Sequence, residues 1–114
     1  MTRRRLRLGA EGEARAAAWY EANGYRVLER NWRCREGEID LIVCRGRSVA
    51  ICEVKTRSTD AFGVPAEAVT AAKRRKLRTL ASAWLDEAPF RPRDIRFDVV
   101  AILADELEII EGAF

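Results

Sequence analysis

The chain has 114 residues, of which 48% are hydrophobic and 34% charged, with a formal net charge of +3. This length suits one domain, which we expect to span residues 1–114. The sequence has no apolar run of the roughly 18 residues that a membrane span needs, so no membrane partner is expected. Three cysteines without a CxxC pair, and no histidine, argue against a zinc site or disulfide framework and favour the cytoplasm.

The first predicted element is a helix over residues 10–23. Glu13 shares the apolar face of this helix with Ala16, Ala17 and Tyr20, at spacings of three, four and seven. An acid on such a face has two interpretations. It can complement the helix dipole near the N-terminus, or it can reach towards a metal site as a further ligand.

Residues 25–35 then predict a strand at the edge of the sheet or next to it, with Val27 and Leu28 buried. The segment Asn31-Trp32-Arg33 mixes an aromatic with a basic group, which is typical of nucleic-acid contacts. A Trp32 packed in the core explains the same pattern.

The stretch 37–57 predicts a β-hairpin, because two runs rich in isoleucine, valine and leucine flank a short polar loop with a glycine. Such a loop pairs residues whose numbers sum to 93. Asp40 should therefore face Glu53, and Glu38 should face Lys55. Side chains alternate along a strand, so all four should share one face of the hairpin.

Facing carboxylates destabilise a sheet unless a cation compensates for them. We expect Asp40 and Glu53 to bind Mg²⁺ or Mn²⁺, because hard cations prefer oxygen ligands. Lys55 could then orient a water molecule or stabilise charge on a phosphate. The three residues predict a site that cleaves phosphodiesters. The alternative is a chance pair of acids with a Glu38–Lys55 ion pair on a solvated face.

The rest of the chain predicts one more helix and two more strands. A loop over residues 58–65 should form one wall of the cleft, and a helix over residues 66–87 follows, with Thr70 near its true start. Strands are expected over 96–104 and 107–110. The order is therefore αβββαββ, an α/β fold with a central mixed sheet and a helix on each face.

Two basic runs are candidate nucleic-acid contacts, although such runs are also typical of a solvated helix face. They comprise Arg3, Arg4 and Arg5 in the first and Lys73, Arg74, Arg75 and Arg78 in the second. Asp98 shares its side of a strand with Arg96, so we interpret it as a structural ion-pair partner and not as a metal ligand.

Several short motifs follow one another along nearly the whole chain. They are Gly9-x-x-Gly12-Glu13-x-x-Ala16, Asn31-Trp32-Arg33-Cys34-Arg35, Gly37-Glu38-Ile39-Asp40-Leu41-Ile42, Glu53-Val54-Lys55-x-Arg57 and Arg96-Phe97-Asp98-Val99. Together they resemble the bacterial YraN family, also called UPF0102. That family is similar to restriction-endonuclease-like proteins and archaeal Holliday junction resolvases.

The resemblance implies a restriction-endonuclease-like core and an Asp…Glu-x-Lys nuclease signature at Asp40, Glu53 and Lys55. It also implies that Glu13 assists at the metal. The leading hypothesis is a metal-dependent nuclease acting on DNA or RNA, including structured or branched DNA, with a homodimer able to span a duplex or junction. A non-catalytic nucleic-acid-binding module of the same fold and a structural adaptor are the alternatives.

Overall fold

The computed structural model describes residues 3–57, 70–103 and 106–114, and within these ranges the side chains of all but residues 3–9 and 57. The described residues form two helices and five strands, and the predicted order αβββαββ is confirmed. The elements are α1 (Arg3–Ala22), β1 (Arg26–Cys34), β2 (Gly37–Arg45), β3 (Ser48–Arg57), α2 (Ala71–Leu85), β4 (Asp94–Leu103) and β5 (Glu106–Ile110).

The first helix begins before the predicted residue 10, whereas the second begins beside Thr70, as predicted; residues 66–69 lie outside the described part of the chain. α1 starts at Arg3, because the arginines and leucines before Gly9 are good helix formers and extend the helix towards its N-terminus. α2 starts at Ala71, because Thr70 caps it and its Oγ1 accepts a hydrogen bond from the backbone N–H of Lys73 at 3.2 Å. Neither helix, over the residues described, is long and apolar enough to cross a membrane.

The strands form one mixed sheet in the order β1-β2-β3-β4-β5. All neighbours are antiparallel except β3 and β4, which are parallel and are joined through α2. The hairpin register is the predicted one from Arg45 opposite Ser48 to Leu41 opposite Cys52. This central mixed sheet with flanking helices is compatible with a restriction-endonuclease-like core.

The sheet separates two apolar clusters, each covered by one helix. α1 contributes Ala16, Ala17 and Tyr20 to the first cluster, and α2 contributes Leu77, Leu80, Ala81 and Trp84 to the second. The strands supply residues to both faces, which explains why their apolar pattern is nearly continuous. Trp32 packs against the cluster under α2 and donates a hydrogen bond to Glu87 at 2.6 Å, so it serves the core.

The regular alternation of side chains along β1 and β2 is interrupted at one point, and this interruption shapes the candidate site. Ile39 lies in the cluster under α2, whereas strict alternation from Leu41 predicts the other face. The change occurs at Asp40 and Asn31, which lie between the pairs Arg30–Leu41 and Trp32–Ile39. Asn31 has φ 50°, a left-handed conformation that asparagine tolerates better than most residues. The irregularity turns the polar side chains of both strands towards α1.

Candidate functional site

Three carboxylates from two elements converge at this irregularity. Oxygen atoms of Glu13 on α1 and of Glu38 and Asp40 on β2 all lie within 4.8 Å of one another. All three side chains are half-buried. The structure therefore brings Glu13 to Asp40, as the metal-site interpretation of Glu13 required. It also adds Glu38, which the predicted register had placed opposite Lys55.

Gly12 allows α1 to approach the sheet closely enough for this convergence. It is buried against β3, and a Cβ atom at this position would overlap Oγ1 of Thr56. A side chain at this position would press on Thr56 and oppose the close approach of α1 to the strand. The glycine before Glu13 in the sequence motif thus has a direct geometric role.

Asn31 bridges the carboxylates of Glu13 and Glu38. With its amide nitrogen facing the acids, Asn31 donates to Glu38 Oε1 at 2.8 Å and to both carboxylate oxygens of Glu13 at 3.2 Å. The opposite orientation would place oxygen against oxygen. Glu38 also lies 3.3 Å from Nε of the exposed Arg33. The alternative interpretation, a Glu38–Lys55 ion pair, is not borne out among the described side chains, because Glu38 meets Arg33 and Lys55 meets Glu53.

Asp40 is the most electrostatically strained member of the group. Burial, followed by the negative charges of Glu53, Glu13 and Glu38, raises the pKa of Asp40 from 3.8 to about 7. A hydrogen bond of 2.8 Å from the backbone N–H of Val54 opposes this rise. Burial, together with the charges of Glu38 and Glu53, likewise raises the pKa of Glu13. The cluster therefore holds more negative charge than its protein surroundings neutralise.

Glu53 lies beside this cluster but contacts lysines. The residue is only 5% exposed, and its Oε1 is 3.4 Å from Nζ of Lys55 and 3.4 Å from Nζ of Lys73. Lys55 follows on the same strand, and Lys73 comes from the first turn of α2. Lys73 was predicted to contact nucleic acid, and its ion pair with Glu53 places it at the carboxylates. The metal-ligand roles of Glu13, Asp40 and Glu53 stay predictions.

The other predicted nucleic-acid contacts fall into two groups. Arg75 is exposed on α2, while Arg74 and Arg78 lie over aromatic rings on the same side of the sheet. The side chains of Arg3, Arg4 and Arg5 are outside the described part of the chain, as is the loop 58–65. The nucleic-acid contacts predicted for Arg3–Arg5, Lys73, Arg74, Arg75 and Arg78 all stay predictions.

Asp98 is a structural residue, as its pairing with Arg96 predicted. It is 1% exposed and accepts hydrogen bonds from the hydroxyl of Tyr20 at 2.6 Å, from Arg96 Nε at 2.8 Å and from the backbone N–H of Gly112 at 3.0 Å. These donors satisfy its charge within the protein. Asp98 thus ties α1 and the segment after β5 to the sheet.

Comparisons with known proteins agree with the motifs. The model of the family described as "Uncharacterised protein family UPF0102" matches residues 12–102. A UPF0102 protein of Beutenbergia cavernae is 52% identical, over 84% of this chain and 81% of its own length. A UPF0102 protein of Moorella thermoacetica is 46% identical over the full length of both chains. One from Mycolicibacterium vanbaalenii is 50% identical, over 89% of this chain and 84% of its own.

Proposed function

The chain belongs to the uncharacterised protein family UPF0102, and from its site we propose a metal-dependent nuclease that acts on the phosphodiester backbone of DNA or RNA. One observation carries the proposal. The oxygens of Glu13, Glu38 and Asp40 converge within 4.8 Å, next to a buried glutamate held between two lysines. Acidic oxygens beside ammonium groups are the combination that a divalent cation and a phosphate together require.

The donor atoms fit Mg²⁺ or Mn²⁺ better than other metals. The described side chains of the cluster offer only carboxylate oxygens, which suit hard cations, and neither histidine nor thiolate joins them. The raised pKa of Asp40 supports the same fit, because a bound cation would relieve the repulsion that raises it. Such an ion would supply positive charge at the scissile phosphate and make a water molecule more acidic.

The lysines would act on the phosphate side of the site. Glu53 holds the Nζ atoms of Lys55 and Lys73 at equal distances of 3.4 Å, so both ammonium groups are fixed beside the acidic cluster. An ammonium group in this position stabilises negative charge that develops on phosphate oxygens and can orient a water molecule. Lys55 has this role in the proposal, with Lys73 beside it.

A second candidate is a nucleic-acid-binding module without turnover. It is favoured by α2, whose residues Ala71–Leu85 include five basic side chains and no acidic one. The basic side chains are Lys73, Arg74, Arg75, Lys76 and Arg78. A helix of this composition attracts a phosphate backbone whether or not the carboxylates catalyse hydrolysis.

The test is incubation with labelled branched, single-stranded and duplex DNA and RNA in Mg²⁺ or Mn²⁺. We expect cleavage by the parent protein and none by Asp40→Asn. The matched control is Glu108→Gln, which removes an exposed acid on β5 and should cleave like the parent. Equal cleavage by Asp40→Asn would contradict the proposed site. Binding without cleavage by the parent would support the second candidate.

A further inference from the structure

A stack of aromatic rings and guanidinium groups lies on the α2 side of the sheet. The rings of Phe97 and Phe114 are stacked, with centroids 5.1 Å apart and an interplanar angle of 19°. The guanidinium carbon of Arg74 is 5.2 Å from the Phe114 centroid, and that of Arg78 is 5.5 Å from the same centroid and 5.7 Å from that of Phe97. We call these four residues the aromatic stack.

The sheet register places the aromatic stack near Glu53 and its two lysines. Glu53 pairs with Val99, and Phe97 precedes Val99 by two positions on the same side of β4. Two residues span roughly 7 Å along a strand. On α2, Lys73, which contacts Glu53, directly precedes Arg74. The aromatic stack and the lysine pair are therefore neighbours on one face.

Packing of the core accounts for only part of this arrangement. Phe97 and Phe114 pack against the cluster under α2, and both side chains are half-buried and keep some exposed surface. An aliphatic side chain would cover the cluster equally well. Two guanidinium groups lie over the rings and add positive charge there, and the residues of α2 from Ala71 to Leu85 add no negative charge.

Flat aromatic and guanidinium surfaces are what unpaired bases stack on, while the bases of a continuous duplex are already stacked on one another. We infer that the aromatic stack is a subsite for an unpaired base next to the cleaved phosphate. The preferred substrate is then single-stranded or branched nucleic acid. This inference rests on the proposed function, because it assigns the substrate class of that same site.

The test measures binding in EDTA, so that cleavage plays no part. Fluorescence anisotropy compares a labelled oligothymidine with a long linear duplex, for the parent and for Phe114→Leu. We expect Phe114→Leu to lower single-strand affinity by between about fivefold and about a hundredfold, the range for losing the stacking of one base, and to leave duplex affinity unchanged. Phe114→Tyr should bind like the parent.

Two further variants separate stacking from packing. Phe90→Leu changes another half-buried phenylalanine of the same cluster and should leave both affinities unchanged. Arg78→Gln keeps both rings and should still lower single-strand affinity more than duplex affinity. Equal losses on both substrates, or no loss in either variant, would overturn the inference while leaving the proposed nuclease intact. A parent protein that binds neither substrate would contradict both.

Discussion

The carboxylate of Asp40 accepts a hydrogen bond of 2.8 Å from the backbone N–H of Val54, across the hairpin. The bond lies just beyond Leu41 and Cys52, the last pair in the register between β2 and β3. Asp40 thus joins the two strands where their pairing ends, and it also belongs to the acidic cluster. Two substitutions can separate these two roles.

Asp40→Asn should keep the structural role and lose the electrostatic one. Its amide oxygen can still accept from Val54, and removing the charge relieves repulsion, so at pH 8 its free energy of unfolding should equal or exceed that of the parent. Its Mn²⁺ affinity should fall by more than about tenfold, a loss already seen for residues that only support a metal ligand. Urea unfolding and Mn²⁺ titration measure the two effects.

Asp40→Ala is the matched comparison, since it removes the hydrogen-bond acceptor as well. It should be less stable than Asp40→Asn by about 1–3 kcal/mol, the usual effect of leaving a buried N–H unsatisfied. Equal stability of the two variants would mean that the bond to Val54 contributes nothing. Parent-like Mn²⁺ affinity in both would place the ligands elsewhere.

The stability of the protein should also depend on pH through Asp40. The pKa of this carboxyl rises from 3.8 to about 7 on folding, so the folded protein holds the proton more tightly than the unfolded chain does. The contribution of Asp40 to the free energy of unfolding is therefore fully present below about pH 4 and is lost as the pH rises towards about 7. Urea unfolding across this range should show a decline in the parent that is smaller in Asp40→Asn.

Metal should oppose that decline, because a cation binds the ionised carboxylates and displaces the proton. Mn²⁺ affinity should increase between about pH 5 and about pH 7, and saturating Mn²⁺ should flatten the stability profile of the parent. Glu13, whose pKa burial also raises, should contribute in the same direction. A metal affinity independent of pH would contradict the assignment of these acids as ligands.

The sequence pattern could predict those features that depend only on residues close together in the chain. The short loop at Gly46 sets the hairpin register, and the two-residue spacing of Arg96 and Asp98 places them on one side of a strand. The family resemblance favoured one of the two interpretations of Glu13 that periodicity had left open, namely that it assists at a metal. The sequence thus predicted the fold, and it named Glu13 and Asp40, two of the three acids that converge in the structure.

The features that could not be predicted depend on contacts between distant elements. The left-handed Asn31 moves Ile39 to the opposite face and turns Glu38 towards Glu13, and no alternation rule anticipates this. Lys73 reaches Glu53 only because α2 crosses over the sheet. The stacking of Phe114 on Phe97 likewise requires the chain to return after β5.

Lys55 and Lys73 should compensate for each other at Glu53. Either ammonium group can keep the buried carboxylate paired, so Lys55→Met or Lys73→Met alone should lower the free energy of unfolding by less than about 1 kcal/mol, in keeping with their partial exposure. The double variant leaves a buried charge unpaired and should lose about 3–5 kcal/mol. Urea unfolding of the parent, the two single variants and the double variant measures the coupling free energy between the two lysines.

Repeating this cycle in a Glu53→Gln background supplies the control. In this background no carboxylate charge is left for the lysines to pair with. Each lysine substitution should therefore change the free energy of unfolding by close to zero, and the two changes should add in the double variant. Additive losses in the parent background would mean that the two lysines do not share Glu53. The expected non-additivity would support a carboxylate whose main task is to fix both ammonium groups beside the acidic cluster.

The last prediction concerns the close approach of α1 to β3. Gly12→Ala places a Cβ against Oγ1 of Thr56, and we expect α1 to move outwards and carry Glu13 away from Asp40. We expect a loss of about 1–3 kcal/mol in stability, typical of overpacking, together with weaker Mn²⁺ binding. Adding Thr56→Ala to this variant removes the overlap. The new Cβ at position 12 would still lie 3.3 Å from Cβ of residue 56 and 3.4 Å from Cδ1 of Ile102, and small shifts accommodate these tight contacts.

The rescue should be nearly complete, because Oγ1 of Thr56 is buried without a hydrogen-bond partner among the described residues, and its removal breaks no such bond. Gly46→Ala is the matched control. At φ 62° it strains the hairpin loop by about 1 kcal/mol but meets no atom within 4 Å, so it should lower stability and leave Mn²⁺ affinity unchanged. If Gly12→Ala lost stability but kept its Mn²⁺ affinity, the expected displacement of Glu13 would have no effect on the ion, and this would argue against Glu13 as a ligand.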